Sequence, residues 1–322
     1  MSYLVLSRKW RPKLFADIIG QEHVTNTLSN AIKINKISHA FLFSGPRGVG
    51  KTTAARVLAM KVNNIESSAN CIDIIELDGA SNRGIDEIRQ INESVQYPPS
   101  AVKYKVYIID EVHMLTEQAF NALLKTLEEP PPHVIFILAT TDSHKIPQTI
   151  LSRTQRYDFK RLSNQNITDR MKFILDEEKI HYDENALKTI CDYADGSMRD
   201  ALSILDKIIT YDQPTIDSDI VNQVVGVVDS KKIKLIFSNI INKEFDQIVE
   251  NLNIIFDTGV SPNQFIIGLN KFLNNLMLLI LGCKNDIGSD INLYSELKNK
   301  IKHIDILKML NQTLLFENNF KK

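Results

Sequence analysis

Gly45-Pro46-Arg47-Gly48-Val49-Gly50-Lys51-Thr52 constrains this chain more than any other stretch. It matches G-x-x-x-x-G-K-[ST], a turn whose backbone N–H groups converge on phosphate. Its glycines permit positive φ and leave no Cβ between the backbone and an anion. Such a turn needs a strand before it and a helix after it, because the helix N-terminus points its positive dipole end at the ligand. Ala40-Phe41-Leu42-Phe43 supplies an apolar strand candidate, and Thr52 to Met60 reads as a helix. Gly45, Pro46, Arg47, Gly48, Val49, Gly50, Lys51, Thr52 and Thr53 are therefore expected to hold a nucleoside triphosphate. Lys51 would reach the β and γ phosphates, and the Thr52 hydroxyl would ligate Mg²⁺.

The surrounding pattern is α/β. Ile72 to Leu77, Val106 to Ile109, Val134 to Leu138 and Arg156 to Phe159 are further strand candidates. The continuous apolar run at Val106 suits a strand buried on both faces of a parallel sheet. Helices are predicted over Glu22 to Ile34, Ile85 to Val95 and Glu117 to Leu127, the last capped by Thr116. Strands alternating with helices call for a parallel sheet with helices on both faces and ligands at the strands' carboxyl ends. Strand signals stop near Ser163. Helices follow around Ile167 to Leu175, Ala186 to Ala194, Ser197 to Ile209, opened by a capping box to Asp200, and Ile220 to Val225. From Asp229 to Lys322 the sequence reads as helix throughout. These changes divide the chain into residues 1–162, 163–227 and 228–322.

Triphosphate hydrolysis needs a metal ligand, a residue that orients water, and positive charge on the transferring phosphoryl group. Asp110 and Glu111, ending the buried strand, fit the first two roles, with Asp110 toward Mg²⁺ and Glu111 toward water. Thr141 ends the next strand, either as a hydroxyl for γ-phosphate or water or as a backbone cap. Arg153 and Arg199 are candidates for the positive charge or for surface ion pairs. His113 gives a D-E-x-H box, which would suit a helicase only with a second RecA-like domain, and a structural role fits better. Arg11, Pro12 and Ile19 lie in an irregular segment that either packs on the core as an arm or covers the adenine face.

With 38 basic and 39 acidic side chains among 322 residues, no global field advertises nucleic acid. Arg83, Arg89, Lys103 and Lys105 form a local patch that is either a solvated helix face or a DNA contact. Cys71, Cys191 and Cys283 have neither disulfide nor metal spacing, which suits buried thiols in a reducing cytosol. No signal peptide is expected, since Arg8, Lys9 and Arg11 interrupt the start. Phe265 to Leu281 is broken by Asn270, Lys271, Asn274 and Asn275, so a buried or oligomer-facing helix is expected there rather than a membrane span.

Taken together, several ordered stretches resemble one family. They are Arg8-Lys9-Trp10-Arg11-Pro12 with Phe15 to His23, Gly45 to Thr53, Val95-Gln96-Tyr97, Ile109 to Leu115, Phe120 to Pro130, Leu138 to Asp142, Leu151-Ser152-Arg153 and Gly196 to Leu202. The likeness is to the γ/τ ATPase subunits of bacterial DNA polymerase III clamp loaders, which are AAA+ proteins; it is strong to about residue 227 and weak beyond.

The resemblance implies a RecA-like ATP-binding domain, a helical lid and an all-α collar joining subunits in a ring. It implies ATP with Mg²⁺ as cofactors, and other clamp loader subunits, a sliding clamp and primer-template DNA as partners, with no membrane. Hydrolysis would release the clamp onto DNA. Thr141 then stands at sensor 1, Arg199 at sensor 2 in cis, and Arg153 at an arginine finger acting in trans. The helix bearing Arg83 and Arg89 would face DNA inside the ring. Relatives carry a four-cysteine zinc module where this chain has the link Lys61 to Asn70 and a lone Cys71, so no zinc site is expected. Thr154 replaces the cysteine usual after Ser152-Arg153. No long C-terminal extension follows Lys322, as expected of a γ-type or genome-reduced form. The competing readings are a non-catalytic clamp loader scaffold and an AAA+ helicase or branch-migration motor.

Overall fold

A computed structural model describes residues 4–66, 71–211, 215–226, 230–257, 259–283, 291–298 and 300–320. The chain divides into two compact units, Met1–Thr215 and Ile216–Lys322.

The first unit opens with α1 (Leu6–Lys9) and α2 (Glu22–Lys33). Then β1 (Ala40–Ser44), α3 (Lys51–Val62), β2 (Ile74–Asp78), α4 (Ile85–Ser94), β3 (Lys105–Asp110), α5 (Glu117–Glu128), β4 (Val134–Thr140), α6 (Gln148–Leu151) and β5 (Gln155–Asp158) alternate. These five strands form one parallel sheet in the order β2-β3-β4-β1-β5. β1 and β4 are buried along their whole length, as their unbroken apolar sequences require. Alternation sorts their side chains into two layers. Phe41, Phe43, Ile135 and Ile137 pack with α3 through Ala54, Val57 and Leu58. Leu42, Phe136 and Leu138 pack on the opposite face with Ile88, Ile91, Phe120 and Leu123 of α4 and α5. Phe136 is fully buried in that layer and stacked 5.3 Å from Tyr107. Phe136→Ala is expected to lower unfolding stability by about 3–5 kcal/mol, read as a shift of the urea midpoint.

β2 starts two residues later than the sequence pattern suggests. Asp73 is buried, and its carboxylate accepts from the backbone N–H groups of Ser100 (2.9 Å) and Ala101 (2.8 Å), so it anchors the loop before β3. Ile72 is left exposed.

The unit closes with α7 (Asn164–Glu178), α8 (Glu184–Ala194) and α9 (Met198–Ile209). Ile167, Met171, Leu187, Ile190, Ala201 and Leu205 are buried at helical spacing. Ser197 caps α9 by accepting from Asp200 N (3.2 Å), the serine half of the expected box. The N-terminal arm packs here. Leu6 N donates to the buried Asp206 carboxylate (2.9 Å), Trp10 Nε1 donates to Glu178 (2.6 Å), and the Trp10 ring meets Phe173 edge-on.

In the second unit, α10 (Ser218–Val225), α11 (Ser230–Asn242), α12 (Phe245–Asp257), α13 (Pro262–Leu281), α14 (Ile291–Lys298) and α15 (His303–Phe320) surround Phe237, Phe272, Leu276, Tyr294 and Ile306. By length and composition α13 passes as a membrane span (mean hydropathy 1.4), which corrects the view that its polar residues disqualify it. Only 22% of that stretch is buried within the unit. Phe272, Leu273, Leu276 and Leu279 are buried in the helical core, Asn275 donates to Tyr294 Oη (3.1 Å), and Asn270 accepts from Thr313.

Only Cys191 meets the expectation of a buried thiol, and burial pushes its pKa up; Cys71 is half-buried and Cys283 exposed. Residues 67–70 of the link, residues 227–229 at the expected boundary, and Lys322 lie outside the described residues.

Candidate nucleotide-binding site

The loop between β1 and α3 takes the conformation its glycines allow, with φ of 75° at Gly48 and 104° at Gly50, the N-cap of α3. Space also demands glycine at two positions. A Cβ on Gly45 would collide with the Phe159 carbonyl, and one on Gly48 with Ser197 Oγ. The same loop receives Arg199 N on Gly48 O (3.4 Å), which brings the start of α9 onto the phosphate turn.

Beside it opens a cleft of about 370 Å³, within the range usual for small-molecule sites. It is lined by Arg47, Gly48, Val49, Gly50, Lys51, Thr52 and Thr53, by Arg11, Pro12 and Ile19, and by Asp110, Glu111 and Arg199. The N-terminal segment is therefore both an arm packed on α7 and α9 and a wall of the cleft. Gly45, Pro46 and Thr141 line a smaller recess of about 280 Å³ on the other side of the loop.

Lys51 is buried, and Nζ donates to the Gly45 (2.8 Å) and Pro46 (2.6 Å) carbonyls. Burial pushes its pKa below the ordinary 10.5, while Glu111 and Asp110 pull it back. A lysine whose folded pKa is depressed penalises folding below that pKa, and the penalty fades as pH rises through the lowered value toward 10.5. Lys51→Met is thus expected to raise the melting temperature of the ligand-free protein at pH 7 while weakening ATP binding at least about 100-fold, the loss of a buried charge-assisted contact. Thermal melts and an ATP titration check both.

The Thr52 hydroxyl donates to Asp110 Oδ2 at 2.7 Å. A hydroxyl and a carboxylate side by side are the hard oxygen donors that Mg²⁺ takes, so the residues present fit that ion. Glu111 sits in the left-handed region (φ 46°), and its Oε2 accepts from Thr141 Oγ1 (2.8 Å) and Thr141 N (3.2 Å). Thr141's hydroxyl thus rests on Glu111. Arg153 lies apart from the cleft lining. Its Nη2 is 2.5 Å from Glu128 Oε1, and its Nη1 donates to Thr149 O (2.8 Å).

Sequence reasoning passed over several lining residues. Arg170 donates to Trp10 O (3.3 Å) and lies over Phe173 (5.1 Å); burial pushes its pKa down and Asp17 opposes. Its signal was an arginine beside the apolar positions Ile167 and Met171. Met198 and Leu202 add apolar wall, and Arg56 forms a fork with Glu76 (2.7 and 2.6 Å) at the rim. Among the basic patch, Lys105 donates to Ser94 O (2.8 Å) and Arg89 pairs with Asp86 (3.2 Å).

Residues 20–163 match the family described as DNA polymerase III, delta subunit, and residues 166–213 match the DNA polymerase III clamp loader subunit, ATPase lid domain. DNA polymerase III subunit tau of Bacillus subtilis (strain 168) is 47% identical over 294 residues, spanning 86% of this chain and 52% of that protein. Subunit tau of Escherichia coli K12 is 38% identical over 98% of this chain and 52% of its own length. This chain therefore spans about half the length of those tau relatives. Subunit gamma of Buchnera aphidicola (subsp. Schizaphis graminum) is 41% identical over 87% of this chain and 81% of its own length. Among solved structures, the RuvB Holliday junction branch migration motor of Thermotoga maritima matches with a TM-score of 0.55 and 21% identity, over 76% of this chain and 85% of that one. That likeness fixes the fold alone, a RecA-like AAA+ sheet followed by helices. The sequence matches go further, and by the gamma relative in particular the chain belongs to the gamma/tau subunit family of DNA polymerase III.

Proposed function

We propose that this chain is an ATP-hydrolysing subunit of a DNA polymerase III clamp loader that places a sliding clamp on primed DNA. The observation that carries it is the gathering of Lys51, Thr52, Asp110 and Glu111 around one cleft, with the Thr52 hydroxyl on Asp110. ATP lies with its phosphates on residues 45–53 and its base against Arg11, Pro12 and Ile19. Thr52 and Asp110 would hold Mg²⁺, which would supply charge neutralisation at the phosphates. Glu111 accepts a hydrogen bond from the attacking water. The water oxygen bonds to the γ phosphorus as its proton passes to the Glu111 carboxylate, the bond to the bridging oxygen breaks, and ADP leaves with that electron pair. Arg199 stabilises the transferring phosphoryl group from within the subunit, Thr141 senses the γ-phosphate, and Arg153 serves a neighbouring subunit's ATP.

The domains are read as 1–162 for ATP binding, 163–227 as lid and 228–322 as collar. The lid match at 166–213 supports the second. Phe245, Val249 and Ile254 on α12 and Leu314, Leu315 and Phe316 on α15 are exposed, which suits a collar that packs against other clamp loader subunits. A cytoplasmic location, DNA contact near Arg83 and Lys103, and the lack of a zinc site belong to the same reading. The test is ATP-dependent co-purification with the sliding clamp from the full set of loader subunits. A clamp that never binds in the presence of ATP would sink the assignment.

A further inference from the structure

We infer that His113 is a positioning residue for Glu111, anchoring one carboxylate oxygen so that the other is left for the attacking water. The inference rests on Glu111 orienting that water.

Glu111 in its left-handed conformation starts the 3-10 turn Val112–Met114, and the turn swings His113 back toward the strand ends. His113 Nδ1 lies 3.3 Å from Glu111 Oε2 and 3.1 Å from Thr140 Oγ1, with the side chain only 10% exposed. The hydrogen on Nδ1 follows from its neighbours. Thr140 Oγ1 has a single proton and lies 3.1 Å from the Asp142 carbonyl, which can only accept. The same oxygen accepts from Asp142 N at 3.0 Å, so what it presents to His113 is its second lone pair. Glu111 Oε2 is a carboxylate oxygen and also accepts. Nδ1 therefore faces two acceptors and relieves lone-pair repulsion only as Nδ1–H, which makes its hydrogen bond to Thr140 Oγ1 and sets its positive end 3.3 Å from Glu111 Oε2.

Oε2 then accepts two hydrogen bonds, from Thr141 N–H and the Thr141 hydroxyl, and is further held by the electrostatic attraction of His113 Nδ1–H at 3.3 Å. Oε1 has no protein donor among the described residues, although Glu111 lines the cleft. A carboxylate pinned by one oxygen from the ends of both β3 and β4 cannot spin about its last torsion, and its free oxygen is held in one direction. Holding a reacting group in its working direction is where an outer hydrogen bond contributes to rate. A histidine that merely filled space at the sheet end would need no donor at Nδ1.

The experiment compares His113→Leu, His113→Asn and His113→Gln in the complete clamp loader with clamp and primed DNA. Asparagine carries an amide N–H near the Nδ1 position, glutamine carries one near Nε2, and leucine carries none. Leucine and glutamine are expected to lower ATPase kcat by about 10-fold to 100-fold with ATP affinity nearly unchanged, and asparagine to recover most of the rate. Equal losses in all three variants, or no loss in leucine, overturns the inference. If the leucine protein does not fold, as judged by melting and ATP binding, the asparagine and glutamine pair decides alone. Glu111→Gln, run alongside, separates the two levels. Full activity there removes the reading of Glu111 itself, whereas an inactive Glu111→Gln with an active His113→Leu removes only the role of His113.

Discussion

Glu111→Gln is expected to cut steady-state ATP turnover by the assembled loader at least about 100-fold while ATP affinity changes by less than about threefold. The substitution keeps the shape of the side chain, so the loop, Lys51 and the Thr52–Asp110 pair stay in place. What it removes is the negative charge and one acceptor. An amide that still takes the Thr141 hydrogen bonds with its oxygen presents N–H to the water, which then turns its lone pair the wrong way. Phosphate release measures turnover. Binding can be read independently from intrinsic fluorescence, because Trp10 is the single tryptophan of the chain and lines the cleft. An unchanged turnover would remove Glu111 from the reaction.

Arg153→Ala should be as severe in turnover, about 10³-fold or more, the effect of losing an arginine at the transferring phosphoryl group. ATP binding to the altered subunit should survive, because Arg153 is outside its own cleft lining. In the ligand-free chain the guanidinium is tethered to Glu128, with the arginine side chain 32% exposed and the glutamate 50%. Such a pair is worth at most about 1 kcal/mol, so releasing it toward a neighbour is cheap beside the catalytic gain. Mixing subunits gives the sharper check. Lys51→Met and Arg153→Ala chains assembled together should recover partial activity, since an intact Arg153 on the first can serve the intact loop of the second. Wild-type turnover in an assembly made wholly of the Arg153 variant would exclude the trans role.

Much of the frame was legible because apolar runs and glycine spacing act locally. The phosphate turn, the strand leading to Asp110 and Glu111, and the Thr116 cap, whose side chain accepts from Ala119 N, all follow from neighbours in sequence. The wall of the cleft was not legible in the same way. Arg170, Met198 and Leu202 reach it only because α7 and α9 fold beside the loop, and no periodicity reports which neighbour a helix will meet. Asp73 shows the limit from another side. Its place in an alternating run reads as strand, yet two backbone N–H groups from a distant loop claim its carboxylate and delay β2. His113 is legible as a residue but not as a donor, because its proton is fixed by Thr140 and Glu111 together.

The N-terminal arm makes two equilibria one. Leu6 is held by Asp206 and Trp10 by Glu178, while the residues that follow, Arg11, Pro12 and Ile19, form part of the surface a nucleotide would touch. Docking of the arm on α7 and α9 and occupancy of the cleft are therefore thermodynamically linked, and linkage is reciprocal. Whatever free energy a bound nucleotide adds to docking of the arm, a docked arm returns to the nucleotide. Salt or a substitution that loosens Glu178 from Trp10 and Lys9 thus acts as a remote control on affinity, exerted in part by Glu178 and Lys9, which lie outside the cleft lining.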